Sequence, residues 1–103
     1  MGLFDEKDDK DDEGSGPLRT IRSYLSLAIQ IGAPAYNHGD LRGCYEVYAC
    51  TARLLLRAVK GADDDKQVLR DALERCATLS DVNEQAWIMR RSFDAILEDG
   101  ARN

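Results

Sequence analysis

Apolar positions along the chain recur at intervals of three and four residues, which is the period of an amphipathic helix. In the first such stretch the apolar stripe consists of Leu18, Ile21, Leu25, Ala28 and Ile29, and it is widened by Tyr24, Leu27 and Ile31. No stretch shows the strict alternation that is typical of a half-buried strand. The pattern predicts four helices, over residues 17–32, 41–60, 65–79 and 82–98.

Glycine and proline mark the expected helix ends. Gly32, Ala33 and Pro34 interrupt the first stretch. Proline removes a backbone donor and clashes with the carbonyl four residues earlier, so the first helix is expected to end or kink there. Gly61 and Gly100 follow the second and fourth stretches and are expected to end those helices.

Acidic residues mark the expected helix starts. Asp40 precedes the second stretch and is a good N-cap. Asp81, with Glu84 three residues on, has the spacing of a capping box before the fourth stretch. The acidic cluster 63–65 precedes the third, where negative charge favours a helix N-terminus.

Four amphipathic helices joined by short turns favour antiparallel neighbours. The predicted fold class is therefore all-α. We expect a helical domain over residues 17–103, built as a four-helix antiparallel array. An up-and-down bundle and two stacked helical hairpins both fit this pattern.

The formal net charge of −5 is concentrated near the N-terminus. Residues 5–13 hold seven acids and two bases, whereas the rest of the chain holds twelve of each sign. Residues 1–16 have almost no apolar content after Phe4, which predicts a disordered acidic tail. The remainder is neutral, which argues against a nucleic acid partner.

The composition also indicates a compartment. No apolar run approaches the roughly 18 residues that span a membrane, and the N-terminus lacks a signal-peptide layout. The three cysteines form no CxxC pair. We therefore expect a cytoplasmic protein with free thiols and no membrane partner.

The segment from Gly32 to Ala52 resembles a single tetratricopeptide repeat. The residues that carry the resemblance are Gly32, Tyr36, Gly39-Asp40, Cys44, Tyr48 and Thr51, which fall close to the small, aromatic and turn positions of that family. They cover about a fifth of the chain, and Pro34 departs from the family pattern. The resemblance implies a packed helical hairpin and a role in protein interaction.

Candidate chemistry is sparse. His38 is the only histidine, and we find no residue set that predicts a metal site, a cofactor or a catalytic grouping. His38 fits either a polar turn residue or a proton-transfer residue near Cys44 and Tyr45. Cys44 and Cys76 lie on apolar stripes, whereas Cys50 is the candidate reactive thiol.

These observations favour a non-enzymatic helical module for protein interaction or oligomerisation, with a protein partner or a second copy of the chain. The candidate partner-binding residues lie around the first turn: Tyr36, Asn37, His38, Asp40, Arg42 and Tyr45. One alternative is a small-molecule binder or small enzyme that uses a helix-bundle pocket near His38 and Cys44. A further alternative is a thiol-dependent regulator that uses Cys50.

Overall fold

The computed structural model describes residues 16–102, with side chains through Glu98. Within this range the chain is all-helical, and its elements are α1 (Gly16–Asn37), α2 (Leu41–Ala58), α3 (Asp63–Ala77) and α4 (Val82–Arg102). The expectation of a disordered acidic tail falls on residues 1–15, which lie outside the described residues. None of the described helices is long and apolar enough to cross a membrane.

The first helix does not end at the predicted break. α1 runs through Pro34 to Asn37, five residues past the expected end at Gly32. The turn at Gly39, which has a φ of +92°, terminates the helix after Asn37. Gly39 N–H donates to Tyr36 O and Asp40 N–H donates to Ala35 O, which is the bond pattern of a Schellman motif. Pro34 removes only one donor, and the turn that follows it is held by these bonds.

The other helices differ from the prediction at their ends. α2 ends at Ala58, because Val59 takes an extended conformation, so Gly61 lies in the linker rather than at the helix end. The acidic cluster 63–65 forms the first turn of α3 instead of preceding it. Gly100 lies inside α4 rather than closing it.

Both expected aspartate caps form hydrogen bonds. Asp40 Oδ1 accepts from Gly43 N–H at 2.9 Å, and Asp81 Oδ1 accepts from Asn83 N–H at 3.0 Å. Each bond satisfies a donor in a first turn that has no partner within the helix. The two caps thereby fix where α2 and α4 begin.

α2 and α4 occupy the centre of the array. Each of them packs against all three other helices, while α1 packs mainly on α2 and α3 packs mainly on α4. Gly61, just after α2, lies beside Pro17 at the start of α1, and Tyr36 near the end of α1 contacts Trp87 near the start of α4. The end of α1 and the starts of α2 and α4 therefore meet at one end of the molecule.

The core between the helices is filled by side chains from all four. The largest fully buried side chains are Tyr48, Phe93, Ile21, Leu25, Leu55, Leu69, Met89 and Ile96. The rings of Tyr48 and Phe93 lie 5.2 Å apart at an interplanar angle of 59°, which joins α2 to α4. On its other side Tyr48 lies against Gly32, so a side chain at that position would meet the ring.

Substitution of Gly32 by alanine is expected to lower stability. A Cβ atom there would lie 2.5 Å from Tyr48 Cε1, and Tyr48 is only 1% exposed. Overpacking of this kind costs about 1–3 kcal/mol, more than the roughly 0.5–1 kcal/mol that alanine gains over glycine inside a helix. Urea unfolding should show a net loss of about 1–2 kcal/mol.

Gly16→Ala is the matched control, because a Cβ at Gly16 meets nothing within 4 Å. Its unfolding midpoint should stay within error of the unmodified protein. A Gly32→Ala midpoint equal to or above that of the unmodified chain would show that Tyr48 is free to move.

Candidate functional site

A cavity of about 200 Å³ opens where α1, α2 and α4 meet. Its lining combines three aromatic rings, two alanines, a thiol, an amide and one guanidinium. These residues are Ala33, Tyr36, Asn37, Cys44, Tyr48, Ala86, Trp87 and Arg90. Its walls are mostly apolar, and it lies at the end of the array where the candidate site residues were expected.

One wall of the cavity is fixed by hydrogen bonds between α1 and α4. The Tyr36 hydroxyl donates to Asn83 Oδ1 at 2.5 Å and accepts from Trp87 Nε1 at 3.0 Å. The two rings also meet edge to face, with centroids 5.8 Å apart at 76°. Arg91 stacks on Trp87, 5.8 Å from the ring centroid. Trp87 is therefore held on several sides while 40% of its surface stays exposed.

A polar chain crosses the base of the cavity. Tyr48 lies close enough to Cys44 and Arg90 to affect the pKa of both, and Arg90 Nε donates to Asp94 Oδ1 at 3.2 Å in an ion pair. Burial raises the pKa of Tyr48 to about 12, and the neighbouring Cys44 adds to the rise. Burial is the largest single influence on the pKa of Arg90 and lowers it, but the bond to Asp94, the charge of Asp94 and the neighbouring Tyr48 together outweigh burial and raise the pKa. The chain therefore joins an Arg90–Asp94 ion pair to a hydroxyl and a thiol whose raised pKa values keep them neutral.

The cavity chemistry does not favour nucleophilic catalysis. Burial raises the pKa of Cys44, and the opposing effects of the Tyr48 bond and of Arg90 are smaller. A thiol that stays protonated is a weak nucleophile. Among the described residues, no group of three or more histidine, cysteine or acidic side chains is placed to hold a metal ion.

Of the predicted partner-binding residues at the end of α1, two reach the cavity. Tyr36 and Asn37 line it, but His38 does not. His38 is exposed, and its Nδ1 lies 2.8 Å from Pro34 O, so the ring closes the last turn of α1. The small-molecule alternative relied on His38 and Cys44, and of these two residues Cys44 lines the cavity.

The other three predicted residues have separate environments. The Asp40 carboxylate is engaged in the cap of α2. Arg42 is exposed and pairs with Glu46 at 3.9 Å. Tyr45 is half-buried on α2 near Cys76 of α3; burial raises the pKa of Cys76, and the Tyr45 hydroxyl lowers it to a smaller extent. The six residues are close in sequence but have different surroundings.

A second feature lies on α1 and α2, on the side away from α4. Each helix carries a stripe spaced by four, three and four residues, so that its members share one side of the helix. We call these two stripes the uncharged face: Thr20, Tyr24, Leu27 and Ile31 on α1, and Val47, Thr51, Leu54 and Ala58 on α2. Four large apolar side chains in it are 45–54% exposed, namely Tyr24, Leu27, Ile31 and Leu54.

Two contacts align the stripes. Gly32 meets Tyr48, and Pro17 meets Gly61, so α1 and α2 run in opposite directions with Tyr24 level with Leu54. Tyr36 shows which side of α1 faces α4, and Tyr45 shows which side of α2 faces α3. The α1 stripe lies away from the α4-facing side of its helix, and the α2 stripe lies away from the α3-facing side of its helix. Together the two stripes form one surface.

The charged residues of both helices lie on other sides. α1 has only Arg19 and Arg22 in 22 residues. The four charged residues of α2 are confined to a narrow sector of the helix, with Arg57 at the margin of the face. Since 32% of the chain is charged, an uncharged surface across two helices is a distinctive feature.

Hydrophobic spacing alone assigned Tyr24, Leu27 and Ile31 to the buried side of the first helix. The structure places them beside that side, because Ile21, Leu25, Ala28 and Gly32 already fill the contact with α2 and α4. The sequence signal that would have identified the face is the absence of charge beyond the core stripe. The exposed Cys50 lies one turn from Leu54 at the edge of this face.

No protein-family model matches this chain, and neither a curated protein nor a solved structure matches it. The resemblance of residues 32–52 to a tetratricopeptide repeat therefore stays a prediction. Close packing of a small residue on an aromatic ring, as in Gly32 against Tyr48, is a contact that any tightly crossed helix pair can use.

The three thiols are expected to react in two classes. Cys50 is exposed, whereas Cys44 and Cys76 are buried and burial raises the pKa of both. A disulfide reagent such as dithionitrobenzoate should therefore modify one thiol of the native protein rapidly and all three after unfolding. Counting the released chromophore measures both numbers.

Cys50→Ser is the control for this experiment, and it should abolish the rapid native reaction. If that variant still released a full equivalent at the native rate, one of the buried thiols would be accessible. The cavity would then expose a reactive Cys44.

Proposed function

We propose that this protein is a helical interaction module that self-associates through the uncharged face. The main support for this proposal is the exposure of four large apolar side chains on a surface that spans two helices and contains no charged residue. These side chains are Tyr24, Leu27, Ile31 and Leu54. Contiguous exposed apolar surface of this kind marks interaction sites. The antiparallel, up-and-down order of the four helices is part of the proposal, because it sets the two stripes side by side.

A second copy of the chain is the occupant that the charge pattern favours. A face without charges attracts no partner of opposite sign, and it best matches a surface that also lacks them. The chain itself supplies such a surface. Paired about a two-fold axis, the same patch meets itself, as in most homodimers.

The size of the face fits a modest dimer. Helices of 22 and 18 residues lying side by side present a surface about 30 Å long and 18–20 Å wide. Two copies would bury about 1,000–1,200 Å² in total, at the low end of specific interfaces. We therefore expect a dissociation constant in the micromolar range rather than an obligate dimer.

The composition of α1 supports the same conclusion. A helix with only two charged residues in 22 is usually covered on more than one side. Within the monomer α1 packs mainly on α2, with a smaller contact to α4. A second copy on the uncharged face would cover the remaining apolar side. Free thiols support the cytoplasmic location expected from the sequence.

The test is sedimentation velocity over about 1–500 µM protein, with a reductant present so that Cys50 cannot form a covalent link. The unmodified chain should move from monomer to dimer over this range. Leu27→Lys and Leu54→Lys should each weaken dimerisation about 100-fold, since a buried unpaired charge is costly. The matched control is Ala95→Lys, which adds the same charge at an exposed position of α4 and should dimerise like the unmodified chain.

A monomer at all concentrations would overturn self-association. A dimer that survives both face variants would place the interface elsewhere. A dimer seen only without reductant would show that a Cys50 disulfide, and not the uncharged face, joins the two copies. That result would favour the thiol-dependent alternative. An unmodified chain that stays monomeric but binds a different protein, with binding lost in both variants, would keep the face and replace the occupant.

A further inference from the structure

We propose that the cavity between α1, α2 and α4 binds a small monocyclic carboxylate, with the ring between the aromatic walls and the carboxylate on Arg90. This site shares no residue with the uncharged face and does not depend on self-association. The inference rests on the size of the cavity, on the character of its walls and on the single charge at its base.

The volume restricts the ligand. Most sites for drug-sized molecules measure about 300–1,000 Å³, so a cavity of about 200 Å³ takes something smaller. An apolar cavity of about 150 Å³ is enough for benzene. One six-membered ring with one small substituent therefore fits the space, and a fused ring system exceeds it.

The walls favour a flat apolar body. Tyr36, Tyr48 and Trp87 present rings, while Ala33 and Ala86 keep the space between them open. The Tyr36 and Trp87 rings are fixed by their mutual hydrogen bond and by the bond to Asn83. Because these side chains are already ordered, a ligand loses little by immobilising them.

The base of the cavity favours a negative charge. Arg90 is the only charged residue in the lining, and its pKa is raised, so the guanidinium is always protonated. Its ion pair with Asp94 uses the Nε donor at 3.2 Å, and the guanidinium has four further donors on its two terminal nitrogens. The planar fork suits a carboxylate, which can accept two parallel bonds.

The cavity is open to solvent. Asn37 at its rim is exposed, and the Trp87 side chain is 40% exposed. A ligand can therefore enter without unfolding of a helix. The Asn37 amide supplies a further polar group at the mouth, within the same lining as Arg90.

Benzoate is the probe for this site, and benzamide is its neutral counterpart of the same shape. Trp87 is the only tryptophan, so its fluorescence reports directly on the cavity, and calorimetry provides an independent readout. Benzoate should bind with a dissociation constant of about 1 mM or tighter, as expected for nine non-hydrogen atoms. Benzamide should bind at least about tenfold more weakly, because it cannot form the charged bond.

Two variants separate the charge from the space. Arg90→Gln should reduce benzoate affinity to the level of benzamide and leave benzamide affinity unchanged. Ala33→Leu should fill the cavity and abolish binding of both probes. The matched control is Arg91→Gln, since Arg91 touches Trp87 but does not line the cavity, and it should keep benzoate affinity within about twofold. Circular dichroism checks that each variant is folded.

Equal affinities for benzoate and benzamide in the unmodified protein would overturn the role of Arg90. Equal losses in Arg90→Gln and Arg91→Gln would reduce the effect to a general surface charge. Unchanged benzoate binding in Ala33→Leu, or no binding at 10 mM by either readout, would overturn the site itself. If Arg90→Gln does not fold, the probe pair and Ala33→Leu still decide the outcome.

Discussion

The contact between Gly32 and the ring of Tyr48 is the constraint on which the other features depend. Because Gly32 has no side chain, the backbone of α1 can approach the ring face of a residue that α2 buries completely. The same tyrosine packs on Phe93 of α4 and lines the cavity together with Cys44 and Arg90. One side chain therefore sets the spacing of three helices and forms part of the cavity wall.

The alignment of α1 and α2 follows from that crossing. With Gly32 against Tyr48 at one end and Pro17 against Gly61 at the other, the relative position of the two helices is determined along their whole length. This alignment brings Tyr24 level with Leu54. A shift of one residue would rotate one stripe out of the surface, so the uncharged face exists only in this arrangement.

The sequence predicted the existence and order of the four helices, because stripe spacing is a property of each helix alone. It placed the end of α1 wrongly, since it gave Pro34 more weight than the Gly39 turn. A proline inside a helix costs one backbone bond, and here the Schellman bonds at Gly39 and Asp40 and the contacts of Tyr36 hold the turn that follows. Those contacts reach across 47 and 51 residues, and no local pattern reveals them.

The candidate sites were harder to predict because they too depend on contacts between residues that are far apart in the sequence. Tyr36 and Cys44, which the sequence singled out, line the cavity, but no local pattern singled out Arg90, because its proximity to Tyr48 depends on the packing of two helices. Tyr24, Leu27 and Ile31 were expected to widen the apolar stripe of the first helix, because periodicity cannot tell how many neighbours a helix has. Burial depends on the partners that surround a helix, and only the arrangement of all four supplies that information.

The two proposed sites share helices but no residues. On α1, Tyr36 lines the cavity, while Ile31 is exposed in the face; on α2, Cys44 is buried at the cavity, while Leu54 is exposed. A second copy on the face would therefore leave the mouth at Asn37 and Trp87 open. The Gly32–Tyr48 crossing connects the two sites, because Tyr48 lines the cavity and Gly32 follows Ile31 of the face. Because of this contact, α1 and α2 form part of the cavity wall and also present the uncharged face.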